Sequence, residues 1–197
     1  GTHVTIFDQH TRLLEREDPD IATEVVANLT DAGIEIKPAT QLTQVKDNGE
    51  KVTLYYQQGD QTNTAEFDAV LVAVGRRPNV SSLGLENTDI ALTNRGAIQV
   101  DDHLRTTVQN IWALGDVNGG PMFTYVSLDD FRIIIDQLFG KGDRSTADRM
   151  VIPTASFLNP PLANVGLNER QATSAGYNFQ TFKLSVKAIP KARVLED

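Results

Sequence analysis

Residues 4–36 read VTIFDQHTRLLEREDPDIATEVVANLTDAGIEI, and the order of signals within them decides the fold class. Val4, Thr5, Ile6 and Phe7 form a short β-rich run that ends at the polar pair Asp8-Gln9. A helix is predicted next: Asp18 suits the cap, Pro19 the first turn, and Gly33 the left-handed residue just past the end. Ile21, Val25 and Leu29 recur at intervals of four, so one stripe of this helix is expected to face a core. Ile34-Glu35-Ile36 then starts a second strand. Strand, helix and strand joined by short connections predict a parallel βαβ unit and hence an α/β protein.

The pattern changes downstream. Short, partly alternating runs at 42–45, 52–57 and 64–67 are separated by Asp47-Asn48-Gly49 and Gly59-Asp60, which are turn formers. They predict an antiparallel meander inserted into the α/β unit. The continuous apolar run AVLVAV at 69–74 suits a strand buried on both faces, and Gly75 stops it. Residues 97–100 read as a further short run, and 110–114 as a second buried strand that ends in Gly115-Asp116. After a Gly-Gly-Pro loop, 124–139 is predicted helical, with Phe131, Ile134, Ile135 and Leu138 as its apolar face and Gly140 as its stop. Residues 142–149 read as a polar linker. Beyond it the sequence predicts a strand at 154–158, the loop Asn159-Pro160-Pro161, a helix capped by Asn168 with Gln171 and ended by Gly176, and a strand at 179–186. The chain reaches Asp197 without an obvious closing element.

Composition narrows the function classes. The 197 residues carry a formal net charge of −8, which repels phosphate backbones and argues against nucleic-acid binding. No apolar run approaches the ~18 residues of a membrane helix, and the N-terminus begins directly with strand-like sequence. A membrane role is therefore not expected, and the cytoplasm is the default location. Asn28-Leu-Thr30 and Asn79-Val-Ser81 match the glycosylation pattern, which means little without a secretory signal. There are no cysteines, so the chain alone performs no thiol chemistry and builds no thiolate metal site. His3, His10 and His103 lack metal-ligand spacing and read as ordinary surface residues.

Two carboxylates stand where α/β folds bind ligands. Asp8 follows the first strand, where a dinucleotide-binding unit places the acid that grips ribose hydroxyls. Taken alone, it is better read as a solvated loop residue. Asp116 follows the second buried strand and could accept hydrogen bonds from sugar-type hydroxyls; a turn cap explains it equally well.

The combination is more specific than its parts. VAVGRRPN at 72–79 closely resembles the A-x-G-R-x-P-N element of the pyridine nucleotide–disulfide oxidoreductases. TVQNIWALGD at 107–116 resembles that family's second flavin motif, and GPMFT at 120–124 the flavin-contacting turn after it. PTASFLNPP at 153–161 and ANVGLNE at 163–169 resemble the entry to its interface domain. Residues 4–34 are similar to the second half of its NAD(P) domain.

The resemblance implies a partial NAD(P)-binding Rossmann-like βαβ with its meander (1–75), the C-terminal part of an FAD domain (76–147) and the start of an α+β interface domain (148–197). It implies FAD and NAD(P)H as cofactors and a homodimer as the assembly. Gly115 and Asp116 would meet the FAD ribitol, the backbone of Met122, Phe123 and Thr124 the flavin pyrimidine edge, and Gly75 the nicotinamide dinucleotide. Arg76 would anchor its loop or simply pair on the surface. Asp8 favours NADH, because a carboxylate there repels a 2′-phosphate and Gln9 and His10 offer no phosphate clamp, although Arg12 is near. The family's flavin-binding G-x-G-x-x-G, its cysteine pair and its His–Glu acid/base pair are not in this sequence. It is therefore expected to be a truncated piece, inactive alone. Residues 124–131 depart from the usual family pattern and look closer to the reactive-chlorine-resistance and mercuric-reductase-like subgroup. A non-catalytic cofactor-binding or dimerisation module and an NADH oxidase-type flavoprotein are the alternatives.

Overall fold

A computed structural model describes residues 1–190. The chain divides into two units, Gly1–Leu71 with Ile152–Asp197, and Val72–Val151.

The first unit opens with the βαβ element. β1 (Thr5–Phe7) pairs in parallel with β2 (Glu35–Lys37), Ile6 opposite Ile36. Between them runs α1 (Pro19–Asp31), with Asp18 at the cap position and Pro19 in the first turn. Gly33 adopts φ 85°, the left-handed conformation that lets the chain leave the helix without a Cβ penalty. The buried stripe differs from the predicted one by a single position. Ala22 and Val25 are buried, whereas Ile21 is exposed and Leu29 half-buried. The meander forms as expected: β3 (Thr40–Asp47), β4 (Val52–Gln58) and β5 (Gln61–Phe67) pair antiparallel in sequence order. Phe7 of β1 meets Tyr56 and Phe67 edge-on, with ring centroids 5.1 and 5.9 Å apart, so the meander packs on the parallel pair.

The same unit takes in the C-terminal segment. β6 (Thr154–Ser156) and β7 (Leu162–Asn164) form an antiparallel hairpin closed by Asn159-Pro160-Pro161. The sequence gives no clear sign of β7. α3 (Glu169–Ser174) has the predicted capping box, with the Gln171 N–H donating to Asn168 Oδ1 at 2.8 Å and the Asn168 N–H to Gln171 Oε1 at 3.0 Å. This segment is tied to the start of the chain. Asn168 Nδ2 donates to the Arg16 carbonyl at 2.8 Å, and the Glu169 N–H donates to the Asp18 carboxylate. Asp18 thus caps α3 with its side chain instead of its own helix. The strand expected at 179–186 does not form; Val186–Ala188 is a turn of 3₁₀ helix, and Phe182 and Leu184 are exposed. No strand among the described residues lies alongside to pair with it.

The second unit is built around α2 (Thr124–Phe139), whose limits match the prediction and whose orientation does not. Val126, Asp130 and Ile133 are buried, whereas Phe131, Ile135 and Leu138 are exposed. The buried face is chosen by a carboxylate, because the Asp130 side chain satisfies polar groups beneath the helix (see below). Leu104, Ala113, Ala97 and Ile98 complete this core. Residues 97–100 and 110–114 do not become strands. They are held by the bridges Leu92 to Ile98 and Arg105 to Trp112, and by the Ile98 N–H on the Val117 carbonyl at 2.9 Å.

The run at 69–74 is the largest departure. It forms no strand, and Leu71, Val72 and Val74 are 92, 67 and 86% exposed. A strand buried on both faces needs a neighbour on each side, and none pairs with it among the described residues.

Residues 142–149, read as a linker, are packed instead. The Ser145 N–H donates to Asp148 Oδ2 at 2.7 Å and the Thr146 N–H to the Asp102 carbonyl at 2.8 Å. Arg144 and Arg149 both bind Asp129, at 2.6 and 2.7 Å. Partial burial opposes ionisation of Asp129, but the hydrogen bonds and charge of Arg149 and Arg144 outweigh it and hold the carboxyl below the usual range. A depressed folded-state value means that the stabilisation is fully present above the ordinary aspartate value of ~3.9 and is lost as pH falls through the lower one. Urea unfolding between pH 6 and 3, followed by the single tryptophan, Trp112, should show stability falling with acid, and Asp129→Asn should flatten that slope. An unchanged slope would remove Asp129 from the account.

Candidate functional site

In the second unit an open cleft of about 610 Å³ is lined by Arg76, Leu114, Gly115, Asp116, Met122 and Thr124, among others. Four of the residues singled out from the sequence therefore come together: Gly115, Asp116, Met122 and Thr124. The geometry follows from a tight turn. Gly115 takes φ 73°, and a Cβ there would lie 2.8 Å from Ser127 Oγ on α2, so a side chain would strain the backbone and displace Ser127. The 3₁₀ turn Gly115–Asn118 follows and ends at Gly119, φ 76°. This turn carries the Asp116 carboxylate into the cleft.

Asp116 faces Arg76 across 3.6 Å, and both side chains are more than half exposed. An ion pair in such solvent contributes at most about 1 kcal/mol, so the carboxylate is readily available to a polar ligand. Opposite the turn is the start of α2. Phe123 is extended at the cap position, Thr124 opens the helix, and the Phe123 and Tyr125 rings stack with centroids 5.3 Å apart. The leading N–H groups of a helix and its dipole present partial positive charge at such a position. Gly75 does not line the cleft; it stands next to Arg76 in open space, with φ 128° and nothing within 4 Å of where a Cβ would sit.

Beneath the turn is a cluster that the sequence reading missed. Asp130 is 1% exposed. Its Oδ2 accepts the Gly115 N–H at 2.7 Å and Asn118 Nδ2 at 3.2 Å, and its Oδ1 accepts from Arg149. Asn118 Nδ2 also donates to the Ala113 carbonyl at 3.2 Å, and its Oδ1 accepts the Gly120 N–H at 2.9 Å. The one signal in the sequence is the pair Asp129-Asp130 inside an otherwise amphipathic helix.

Asp8 belongs to the first unit, at the carboxyl end of β1. Its backbone continues the sheet, with its N–H on the Lys37 carbonyl at 3.1 Å and its carbonyl on the Thr40 N–H at 2.9 Å. Its half-buried carboxylate accepts from the His10 N–H at 2.9 Å and bonds His10 Nδ1 at 2.7 Å. His10 Nε2 in turn lies 3.4 Å from Glu15 Oε2. Arg12 Nη2 donates to the carbonyls of Glu15 and Glu17 at 3.0 and 2.8 Å, and its Nη1 is buried without a hydrogen-bond partner among the described residues. Among the described residues there is no cluster of His, Asp and Glu able to hold a metal, and no helix long and apolar enough to cross a membrane.

Comparison with known proteins gives this arrangement a family. Residues 1–130 match the family described as pyridine nucleotide-disulphide oxidoreductase, and residues 152–197 match its dimerisation domain. The probable pyridine nucleotide-disulfide oxidoreductase RclA of Escherichia coli is 44% identical over all 197 residues, which correspond to 44% of its own length. A mercuric reductase of Staphylococcus aureus is 34% identical over 98% of this chain and 35% of its own. A dihydrolipoyl dehydrogenase of Corynebacterium glutamicum is 36% identical over 87% of this chain and 37% of its own. The solved HOCl-induced flavoprotein disulfide reductase RclA from Escherichia coli superposes on the whole chain with a TM-score of 0.90 at 43% identity, and 44% of that protein is covered. Its Cu(II) complex gives 0.93. The chain thus spans less than half the length of these relatives, and the likeness to RclA and to mercuric reductase is the subgroup that residues 124–131 pointed to. The chain belongs to the pyridine nucleotide-disulphide oxidoreductase family.

Proposed function

We propose that the chain is part of an FAD-dependent oxidoreductase that takes hydride from NADH and passes electrons to a disulfide or another acceptor. The observation that carries this reading is the single cleft shared by Asp116, the left-handed Gly115 and the start of α2. This donor set fits a flavin. The exposed carboxylate would accept hydrogen bonds from ribitol hydroxyls, and the missing Cβ at Gly115 leaves the turn close to its neighbour. The backbone of Met122, Phe123 and Thr124 would lie along an electron-rich ring edge and bring the helix charge to it, with the Phe123 N–H itself bound to the Pro121 carbonyl at 3.0 Å. When bound, FAD supplies the hydride-accepting and electron-passing chemistry; the residues here bind and orient it.

In this reading, residues 1–75 contribute to nicotinamide binding, 76–147 to the flavin domain and 148–197 to a homodimer interface. Asp8 reads the ribose and favours NADH, a preference sharpened by the engagement of Arg12 elsewhere. Gly75 gives the dinucleotide close access to the backbone. The protein works in the cytoplasm with small-molecule cofactors, without nucleic acid or membrane. By itself the chain is a holding piece without turnover, because it contains neither a cysteine nor a G-x-G-x-x-G turn.

Titration of FAD into the 197-residue chain, read by flavin fluorescence, is expected to show weak binding or none. Recovery of a yellow chain with stoichiometric flavin would overturn that expectation. In the full-length flavoprotein, Asp116→Ala should raise the FAD Kd about tenfold or more, the cost of a charge-assisted hydrogen bond. Unchanged affinity would sink the assignment of this cleft to flavin.

A further inference from the structure

We infer that Asp130 is a positioning residue for the flavin cleft, acting through the Gly115 N–H to set the direction in which Asp116 presents its carboxylate. The inference rests on the flavin reading of the cleft and adds to it a residue outside the family motifs.

Asp130 lies on the buried face of α2 at 1% exposure, where a bare carboxylate is costly unless every lone pair is engaged. Three donors engage it: the Gly115 N–H, Asn118 Nδ2 and the Arg149 guanidinium. Two of those donors lie at the two ends of the Gly115–Asn118 turn. A single carboxylate oxygen, Oδ2, therefore bridges the start and the end of the turn that bears Asp116. Arg149 completes the charge balance from the other side, and its own second link, to Asp129 at 2.7 Å, fixes it in place. Arg149 is held above its ordinary value: burial works against its charge, and the hydrogen bonds and charges of Asp129 and Asp130 outweigh that.

The alternative explanation is a stabilising ion cluster with no bearing on the cleft. The geometry argues otherwise, because the shortest bond of Asp130 other than that to Arg149 goes to the backbone immediately before Asp116, not to a neighbouring side chain. Asp129 supplies the comparison. It binds Arg149 and Arg144 with the same charge, one residue away, and has no bond to the turn among those described.

The test compares Asp130→Asn, Asp129→Asn and Asp116→Ala in the full-length flavoprotein, with the FAD Kd as readout. Asp130→Asn keeps the size and leaves one acceptor oxygen where there were two, so the turn and Arg149 can no longer both be satisfied and the bridge across Gly115–Asn118 is weakened. It is expected to weaken FAD about tenfold or more, while Asp129→Asn leaves the affinity within about twofold. In an Asp116→Ala background, Asp130→Asn should weaken FAD much less than it does alone, because the two act along one path. If Asp116→Ala weakens FAD and Asp130→Asn does not, the inference fails and the flavin reading stands. If neither weakens it, both fail. If Asp129→Asn matches Asp130→Asn, the cluster stabilises generally and the positioning role is refuted. Should Asp130→Asn not fold, amide exchange in the unaltered 197-residue chain decides. The Gly115 N–H is expected to exchange at least about a hundredfold slower than an unstructured amide, and exchange at the unstructured rate would overturn the inference.

Discussion

Replacing Arg149 with methionine is expected to destabilise the second unit by about 3–5 kcal/mol, the usual cost of leaving one member of a buried charge pair behind. The Asp130 side chain is 2% exposed and that of Arg149 is 14% exposed, so the pair is largely shielded from water. The Gly115 N–H and Asn118 Nδ2 still reach Asp130 Oδ2, but neither carries a charge, and Oδ1 loses its described partner. Methionine keeps most of the stem packing, which separates the charge from the volume. For a unit of this size the change corresponds to a drop in midpoint of about 12–40 °C. Trp112 lies in this unit and its fluorescence reports the transition directly. Arg144→Met is the matched control: its side chain is 47% exposed and its described side-chain partner is Asp129, so a loss under about 1 kcal/mol is expected. Equal losses in the two variants would mean that Asp130 does not depend on Arg149.

The second large effect is at Ile133, whose side chain is fully buried. Truncation to alanine removes apolar contact and leaves a cavity, at a cost of about 2–5 kcal/mol in urea unfolding. Ile135, two positions on and 39% exposed, should lose less than about 1 kcal/mol on the same change. The pair discriminates between two orientations of α2. The apolar periodicity of the sequence alone places Ile135 inward together with Phe131 and Leu138. A larger loss at Ile135 than at Ile133 would restore that orientation and expel Asp130 from the core.

That reversal shows where sequence reading succeeds and where it stops. Features set by neighbouring residues were legible: the Gly33 exit from α1, the Asn48-Gly49 turn of the meander, and the Asn168–Gln171 box of α3. Each depends on backbone preferences and partners a few residues apart. The runs at 69–74, 110–114 and 179–186 were misread for one shared reason. Strand character needs a partner, and sequence shows the propensity without the partner. In the cleft, Gly115, Asp116, Met122 and Thr124 were legible because they stand in two compact motifs. Asp130 was not, since its donors lie 12 to 19 residues away and a charged residue on an amphipathic helix ordinarily marks the solvent side. Asp18 shows the same limit in miniature: its place at the helix cap was correct, yet its carboxylate serves a helix some 150 residues later.

The ties between Arg16, Asp18 and the 168–169 segment have a consequence in time. They join residues 151 and 152 positions apart, across the whole of the second unit. None of them can exist before Glu169 has left the ribosome. The entropy of closing so long a loop rises only with the logarithm of its length, so the finished state loses little by it. The rate is another matter, because contacts between distant residues are the slow ones to form. Val72–Val151 is one uninterrupted stretch, and all of it is synthesised before Asn168 and Glu169. Within these residues, the unit whose synthesis starts earlier is thus closed after the one inserted in it.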